Sequence, residues 1–384
     1  MMRQLSAAHL MRRVLFRLRG RVVTLVPSGT LRGRVLLSYT TLPFLDTREE
    51  TYRGHSNRWE CRQMAREFLA RGYTVDIIDF DNKHFRPRHR YAYCIDIDSS
   101  LERLAPLLNP DCILIFHATA AHWLFWNEAE YARLADIQKR RGITILPKRP
   151  AKPTRSPDMA HVISSLCGPF PESTYYFLKK EIHAIPVTSA HEFPDLDRDF
   201  STTKKQFLWF GGAGAVRKGL DIALEAFAGM PEYTLLVCGK YNEPDFLEAF
   251  SKELYETPNI KAVGYMDTTS EAFISLLKES VGIIYPSSAE GCATSVLLTM
   301  QAGLIPLVSK ETGVGTGDFG ILLKENSISA VQDAVRTLAK EPDEMLKQRS
   351  VKTREYARSH HSRGAFTRAY ALFVDMLEHA HGTH

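Results

Sequence analysis

The stretch Ile283-Ile-Tyr-Pro-Ser-Ser-Ala-Glu-Gly-Cys-Ala-Thr-Ser-Val-Leu-Leu-Thr-Met-Gln-Ala-Gly-Leu-Ile-Pro306 reads as a strand, a loop carrying a carboxylate and a glycine, and the start of a helix. The apolar run Val281–Tyr285 fits a buried strand, and Thr294 and Ser295 suit the first turn of a helix reaching Ala302. A second apolar run, Leu304–Val308, follows it. Strand, helix, strand at this spacing predicts parallel strands joined by a crossover helix. Ligands of such sheets bind beyond the carboxyl ends of the strands, which aims Glu290 into a cleft. The backbone amides at Thr294 and Ser295 offer an anion site beside it.

The same alternation extends outward. Upstream lie strands Gln206–Phe210, Tyr233–Cys238 and Ile260–Val263, with helices at Gly219–Ala228, Pro244–Tyr255 and Glu271–Lys278. Downstream, Ser327–Ala339 has helical periodicity. Before the polar, proline-containing stretch 186–205 the pattern is repeated by strands Arg34–Tyr39, Thr74–Asp79, Cys112–Phe116 and Ile143–Leu146 and helices Trp59–Ala70 and Asn127–Arg141. The prediction is an α/β chain with two doubly wound, Rossmann-like domains. The first is 34–185 and the second 206–353, with 186–205 as linker, 1–33 as a basic arm and 354–384 as a helix and tail. Tyr356, Phe366, Tyr370, Phe373 and Leu377 give that last helix a packing face.

Hydrophobic residues at 44% and charged residues at 24% match soluble globular proteins, which excludes a disordered chain or a membrane-embedded body. The net charge of +5 is concentrated at the start, where Arg3, Arg12, Arg13, Arg17, Arg19, Arg21, Arg32 and Arg34 face no acid before Arg34. With Leu10, Met11, Val14, Leu15 and Leu18 at helical spacing, the arm has the pattern of a helix lying on an anionic membrane surface. A solvated leader is the plainer reading. The arginines interrupt the apolar run of about 7 to 15 residues that a secretory signal needs, and no stretch reaches the ~20 apolar residues of a membrane span. Six cysteines without a CxxC pair read as buried thiols in a reducing cytoplasm. No nucleic-acid motif is present.

Trp209-Phe-Gly-Gly-Ala-Gly-Ala-Val-Arg-Lys-Gly219 runs a strand into glycines and two cations just before a helix. The amides of such a turn can approach phosphate, and Lys218 complements its charge. This turn together with Glu290, Gly291, Met300, Ala302, Gly303 and Pro306 resembles the donor motifs of glycosyltransferase family four. Glu225-Ala-Phe227, Val237-Cys-Gly239 and Val263-Gly-Tyr265 fall in register between them. The resemblance covers the second domain. It implies a GT-B fold, a final helix crossing back to the first domain, and retaining, metal-independent transfer from a nucleotide-sugar to a glycan or lipid-linked acceptor, without a cofactor. It also implies that the donor is held by Gly212, Gly214, Arg217, Lys218, Tyr265 and the loop Glu290, Gly291, Cys292, Ala293, Thr294 and Ser295. Two positions depart from the pattern. Leu298 stands where the family has a ribose-binding glutamate, and Ala213 where an arginine is expected, a role for which Arg217 is the substitute.

In the first domain, Asp111–His117 resembles the strand ending in that family's active-site histidine, which makes His117 and Glu290 the catalytic expectations. His55, ahead of the first helix, and Arg149 are expected at the acceptor, with His122 a weaker choice. Lys148 is expected, like Arg149, at the acceptor or the diphosphate. Asp96-Ile-Asp98 has the form of a metal-binding Asp-x-Asp but opens no metal loop, so a strand edge or helix cap is expected. His379, His381 and His384 read as a solvated chain end. The expected setting is the cytoplasm, at the inner face of the membrane if the arm binds lipid, in cell-surface polysaccharide assembly. A non-catalytic nucleotide-sugar or glycan-binding protein, or a sugar-nucleotide epimerase on the same fold, are the alternatives.

Overall fold

Residues 21–46 and 55–381 are described by the structure, a computed structural model. Apolar runs such as Val35-Leu-Leu37 and Ile77–Ile78 are buried on both faces, as strands of a parallel sheet covered on both sides must be. The first sheet is built from β1 (Val22–Leu25), β2 (Gly33–Tyr39), β3 (Tyr73–Asp79), β4 (Tyr93–Asp96), β5 (Ile113–Ala118), β6 (Val162–Ser165) and β7 (Ile182–Ala184). Its order is β1-β3-β2-β4-β5-β6-β7, parallel except for β1 against β3. Helices α1 (Ser56–Ala70) and α2 (Trp123–Arg141) are its longest connections. Val35 and Leu37 share a core with Cys61, Met64 and Phe68 of α1, while Leu36 and Ile78 pack on the opposite face with Cys94 and Leu101.

The second sheet comprises β8 (Gln206–Gly211), β9 (Thr234–Gly239), β10 (Ile260–Gly264), β11 (Gly282–Tyr285), β12 (Ile305–Val308) and β13 (Ile321–Leu322). Its order is β10-β9-β8-β11-β12-β13, with all pairs parallel. It is covered by α3 (Leu220–Ala228), α4 (Glu271–Lys278), α5 (Thr294–Gln301), α6 (Ile328–Ala339) and α7 (Asp343–His360). The chain then returns. Helix α8 (Arg363–His381) lays Phe366 edge-on to Trp59, Tyr370 against Phe68 and Asp375 on Arg71, all first-domain residues.

Several sequence expectations change. The run Ile143–Leu146 is not a strand: β6 takes the place beside β5, and the Leu146 amide instead donates to Asp245 of the second domain at 3.0 Å. Val22–Leu25, read within the basic arm, is an edge strand whose Thr24 hydroxyl donates to Asp76 at 2.6 Å. Arg32 and Arg34 pair with Glu378 and Asp76, so their charge is matched by acids of the fold. The helix expected at Pro244–Tyr255 breaks at Phe250 into two short ones. The long helix expected from Arg354 onward is two helices, α7 and α8. Asp96 is buried and caps the amide of Leu101 at 3.0 Å. The polar stretch after Ile185 is anchored rather than loose. Thr188 donates to Glu60, and buried Arg198 donates to the carbonyls of Leu277, Ala302 and Gly303. The arm residues 1–20, Gly54 and His384 lie outside the described residues. No helix among the described residues is long and apolar enough to cross a membrane.

The domains meet along one side of the cleft through α2. Arg133 donates to the Pro286 carbonyl at 2.8 Å and lies 3.9 Å from buried Asp221. Arg140 reaches Asp221 at 3.1 Å and also bonds Glu225, and Arg141 reaches Glu253 at 2.7 Å. Spacings of seven and eight residues put these arginines on one helix face.

Candidate functional site

Strands β8, β9 and β11 end together, and their glycines let the chain pass at close quarters. A Cβ at Gly239 (φ +131°) would sit 1.9 Å from the Gly211 carbonyl, and one at Gly219 (φ +73°) 2.2 Å from that of Pro286. Only glycine tolerates both the backbone angle and the approach. These ends line an interdomain cavity of about 570 Å³ that also takes in His55, Ser56 and Arg149 from the first domain.

At its centre Glu290 accepts from Lys218 Nζ at 2.5 Å and lies 3.2 Å from Arg217 Nη1 and 3.5 Å from the Tyr285 hydroxyl. Burial pushes the Glu290 carboxyl up, but the charges and hydrogen bonds of Lys218 and Arg217 outweigh it and hold it at about 2. Burial likewise lowers the Lys218 ammonium, against the pull of Glu290, to about 8. Beside the pair, α5 begins at Ala293, which has no capping side chain, and its first turn carries no acid. The amides of Thr294 and Ser295 find no acceptor among the described residues. A buried ammonium, a carboxylate and an uncapped helix N-terminus therefore converge on one cavity, an arrangement able to grip phosphate on one side and hydroxyls on the other.

Of the residues read from sequence, the cavity brings together Gly212, Lys218, Tyr265, Glu290, Cys292, Ala293, Thr294, Ser295, Leu298, His55 and Arg149. Others it does not. His117 is fully buried, with Nδ1 on the Ser164 hydroxyl at 2.7 Å and its ring between Tyr39 and Tyr370. Burial drives its pKa down to about 3. The catalytic expectation for His117 is therefore corrected: the ring ends β5 but turns into the core. His122 caps the start of α2 through a bond from the Leu124 amide at 3.3 Å. Arg217 is 1% exposed, stacked 3.8 Å over Trp126 and bonded to the Ala289 carbonyl, so it braces the Glu290 loop from behind. The amides of Gly214 and Ala215 are taken by the Glu243 carboxylate, at 2.6 Å for Gly214. Gly291 serves the domain contact: its carbonyl accepts from Gly168 at 3.0 Å, and a Cβ would meet the Thr119 carbonyl at 2.3 Å.

Sequence reasoning missed Ser56, Lys240 and the Met266–Thr269 segment, which also line the cavity. Lys240 Nζ lies 4.8 Å from the Tyr265 ring. A cation directly after the glycine ending a strand was the available signal. Among the described residues, no group of three or more His, Cys, Asp or Glu side chains is placed to hold a metal ion.

Residues 195–360 match the family model described as Glycosyl transferases group 1. No curated protein matches the chain in sequence. Among solved structures the chain is similar to sucrose-phosphate synthase from Thermosynechococcus elongatus, at 13% identity and a TM-score of 0.60 over 90% of this chain and 99% of that one. It is also similar to Anabaena HepE in complex with UDP and glucose, at 10% identity and a TM-score of 0.58 over 90% and 100%. Staphylococcus aureus TarM, solved as a mutant with fondaparinux, α-GlcNAc-glycerol and UDP, shares 13% identity at a TM-score of 0.52 over 74% of this chain. This chain spans about half of TarM, 55% of its length. At these identities the likeness establishes the fold, which is GT-B.

Proposed function

We propose that this chain is a glycosyltransferase that moves a sugar from a nucleotide-sugar donor to a glycan or lipid-linked acceptor, with retention at the anomeric carbon and without a metal ion. The observation that carries the reading is the Lys218–Glu290 pair beside the uncapped start of α5, inside the interdomain cavity. Those residues lie within the segment that matches the group 1 glycosyltransferase family. Lys218 and the amides of Thr294 and Ser295 take the diphosphate, stabilising the charge that develops on the departing nucleoside diphosphate. Glu290, released from Lys218 by the incoming phosphate, accepts from the donor's sugar hydroxyls. The acceptor hydroxyl attacks from the face the diphosphate leaves: its oxygen bonds the anomeric carbon as the bond from that carbon to the diphosphate oxygen breaks, and its proton passes to the departing diphosphate. Similar folds solved with UDP make uridine diphosphate sugars the first donors to try. The broader setting we propose is cell-surface polysaccharide assembly on the cytoplasmic side, with the arm Met1–Gly20 meeting anionic lipid.

Leu298 favours a second reading. Its apolar side chain lines the cavity and cannot accept from a ribose hydroxyl, which suits a protein that binds nucleotide-sugars without transferring them. Chromatography of reactions with a panel of nucleotide-sugars separates the cases. Transfer or slow hydrolysis releasing free nucleoside diphosphate, lost by about a hundredfold or more in Glu290→Gln, supports the transferase. Epimerised donor, or binding with no product under any acceptor, would replace it.

A further inference from the structure

Besides Lys218, the second domain lines this cavity with the cation Lys240, whose Nζ lies 4.8 Å from the Tyr265 ring, and with the acid Asp267. Arg217 is buried against Trp126 and the Ala289 carbonyl, and it shares Glu290 with Lys218. Two cations against one carboxylate leave a single net positive charge at the Glu290 cluster, and the charge of Lys240 is offset by that of Asp267 on the same cavity. The turn amides that would otherwise meet phosphate, at Gly214 and Ala215, belong to Glu243. A nucleoside diphosphate carries more than one negative charge, so a further cation is required.

Arg149 of the first domain fills that need. It lines the cavity with Gly212 and Lys218, and its Cδ lies 3.8 Å from where a Cβ of Gly214 would be. Its side chain has no carboxylate partner among the described residues. The backbone beneath it is fixed from two sides. Trp126 Nε1 donates to the Arg149 carbonyl at 2.9 Å, and Asn127 holds both the amide and the carbonyl of Ala151. Across the cleft, Asp245 accepts from the Leu146 amide at 3.0 Å and pairs with Lys148 at 2.6 Å.

Building on the donor-cleft reading above, we propose that Arg149 is a diphosphate-binding residue, delivered by a first-domain loop fastened to the second domain. The donor is then gripped by both domains, and Arg149 takes the place of the arginine that the glycine turn lacks. Of the two roles expected for Arg149, at the acceptor or at the diphosphate, this selects the second.

The test is calorimetric titration of the full chain with UDP, GDP and ADP, in wild type, Arg149→Ala, Arg149→Lys and Lys218→Ala, with thermal unfolding as a check on folding. Arg149 is exposed, so its variants should fold. The inference expects Arg149→Ala to weaken whichever diphosphate binds by about tenfold to a hundredfold, a loss that grows smaller at high salt, with Arg149→Lys recovering part of it. If Lys218→Ala loses affinity while Arg149→Ala binds as wild type, the inference is overturned and the donor cleft stands. A raised acceptor KM at unchanged diphosphate affinity in Arg149→Ala also overturns it. If wild type binds none of the three, or neither alanine variant changes affinity, the donor-cleft reading and the inference fall together.

Discussion

Glu290 is kept ionised by Lys218 and Arg217 rather than by water, and at pH 7 it is an acceptor held ready for hydroxyls. His117 is the opposite case, a titratable group kept neutral by burial. Its folded pKa of about 3 lies below the ordinary histidine value near 6.5. The unfolded chain therefore takes up a proton that the folded chain refuses, and stability falls as pH drops from about 6.5 toward 3. His361, lowered by burial to about 4, acts in the same direction. His117→Asn should flatten part of this acid sensitivity in thermal unfolding scans while leaving turnover within about threefold, since His117 is not among the residues that line the cavity. A hundredfold loss of turnover in a fully folded variant would return His117 to the chemistry. That Glu290, Lys218 and the start of α5 share one cavity was legible in the sequence, because they sit at strand and helix ends that the pattern locates. It could not carry side-chain direction. Whether His117 and Arg217 face the cleft or the core depends on Ser164, Tyr370 and Trp126, which are distant in sequence.

At the scale of elements, the row of arginines on α2 binds the two domains. Asp221 is fully buried, with Arg140 at 3.1 Å and Arg133 at 3.9 Å. Removing the acid from such a group leaves the buried Arg133 short of its counter-charge, at a cost of about 3–5 kcal/mol. Asp221→Ala should lower the unfolding free energy by that order in denaturant titration; a change under about 1 kcal/mol would mean that the latch contributes little. The elements themselves were unevenly legible. Long runs bounded by glycine, such as β8 into α3, declare themselves. Strands such as β4, β6 and β7, of three or four residues, are too short for alternation to mark. Ile143–Leu146 has the composition of a strand, but β6 takes the place beside β5, and the Leu146 amide bonds Asp245 across the cleft.

Across the whole molecule, two Rossmann-like domains, an anchored connection and a returning helix hold one cavity between them. Domain closure is built from close backbone contact: the Gly168 amide meets the Gly291 carbonyl directly behind Glu290, and the Ala121 amide meets the Glu290 carbonyl at 3.1 Å. The Glu290 loop is thus braced by the first domain, and on the proposed function donor binding should stabilise both halves together by mass action. The most direct test is the shift in melting temperature of the purified chain with nucleoside diphosphates and nucleotide-sugars at pH 7 and at pH 9, without added metal. A selective rise is expected at pH 7, abolished in Lys218→Ala and reduced at pH 9, where a lysine lowered to about 8 has lost most of its proton. An equal rise in wild type and Lys218→Ala, or no rise with any nucleotide, would contradict it.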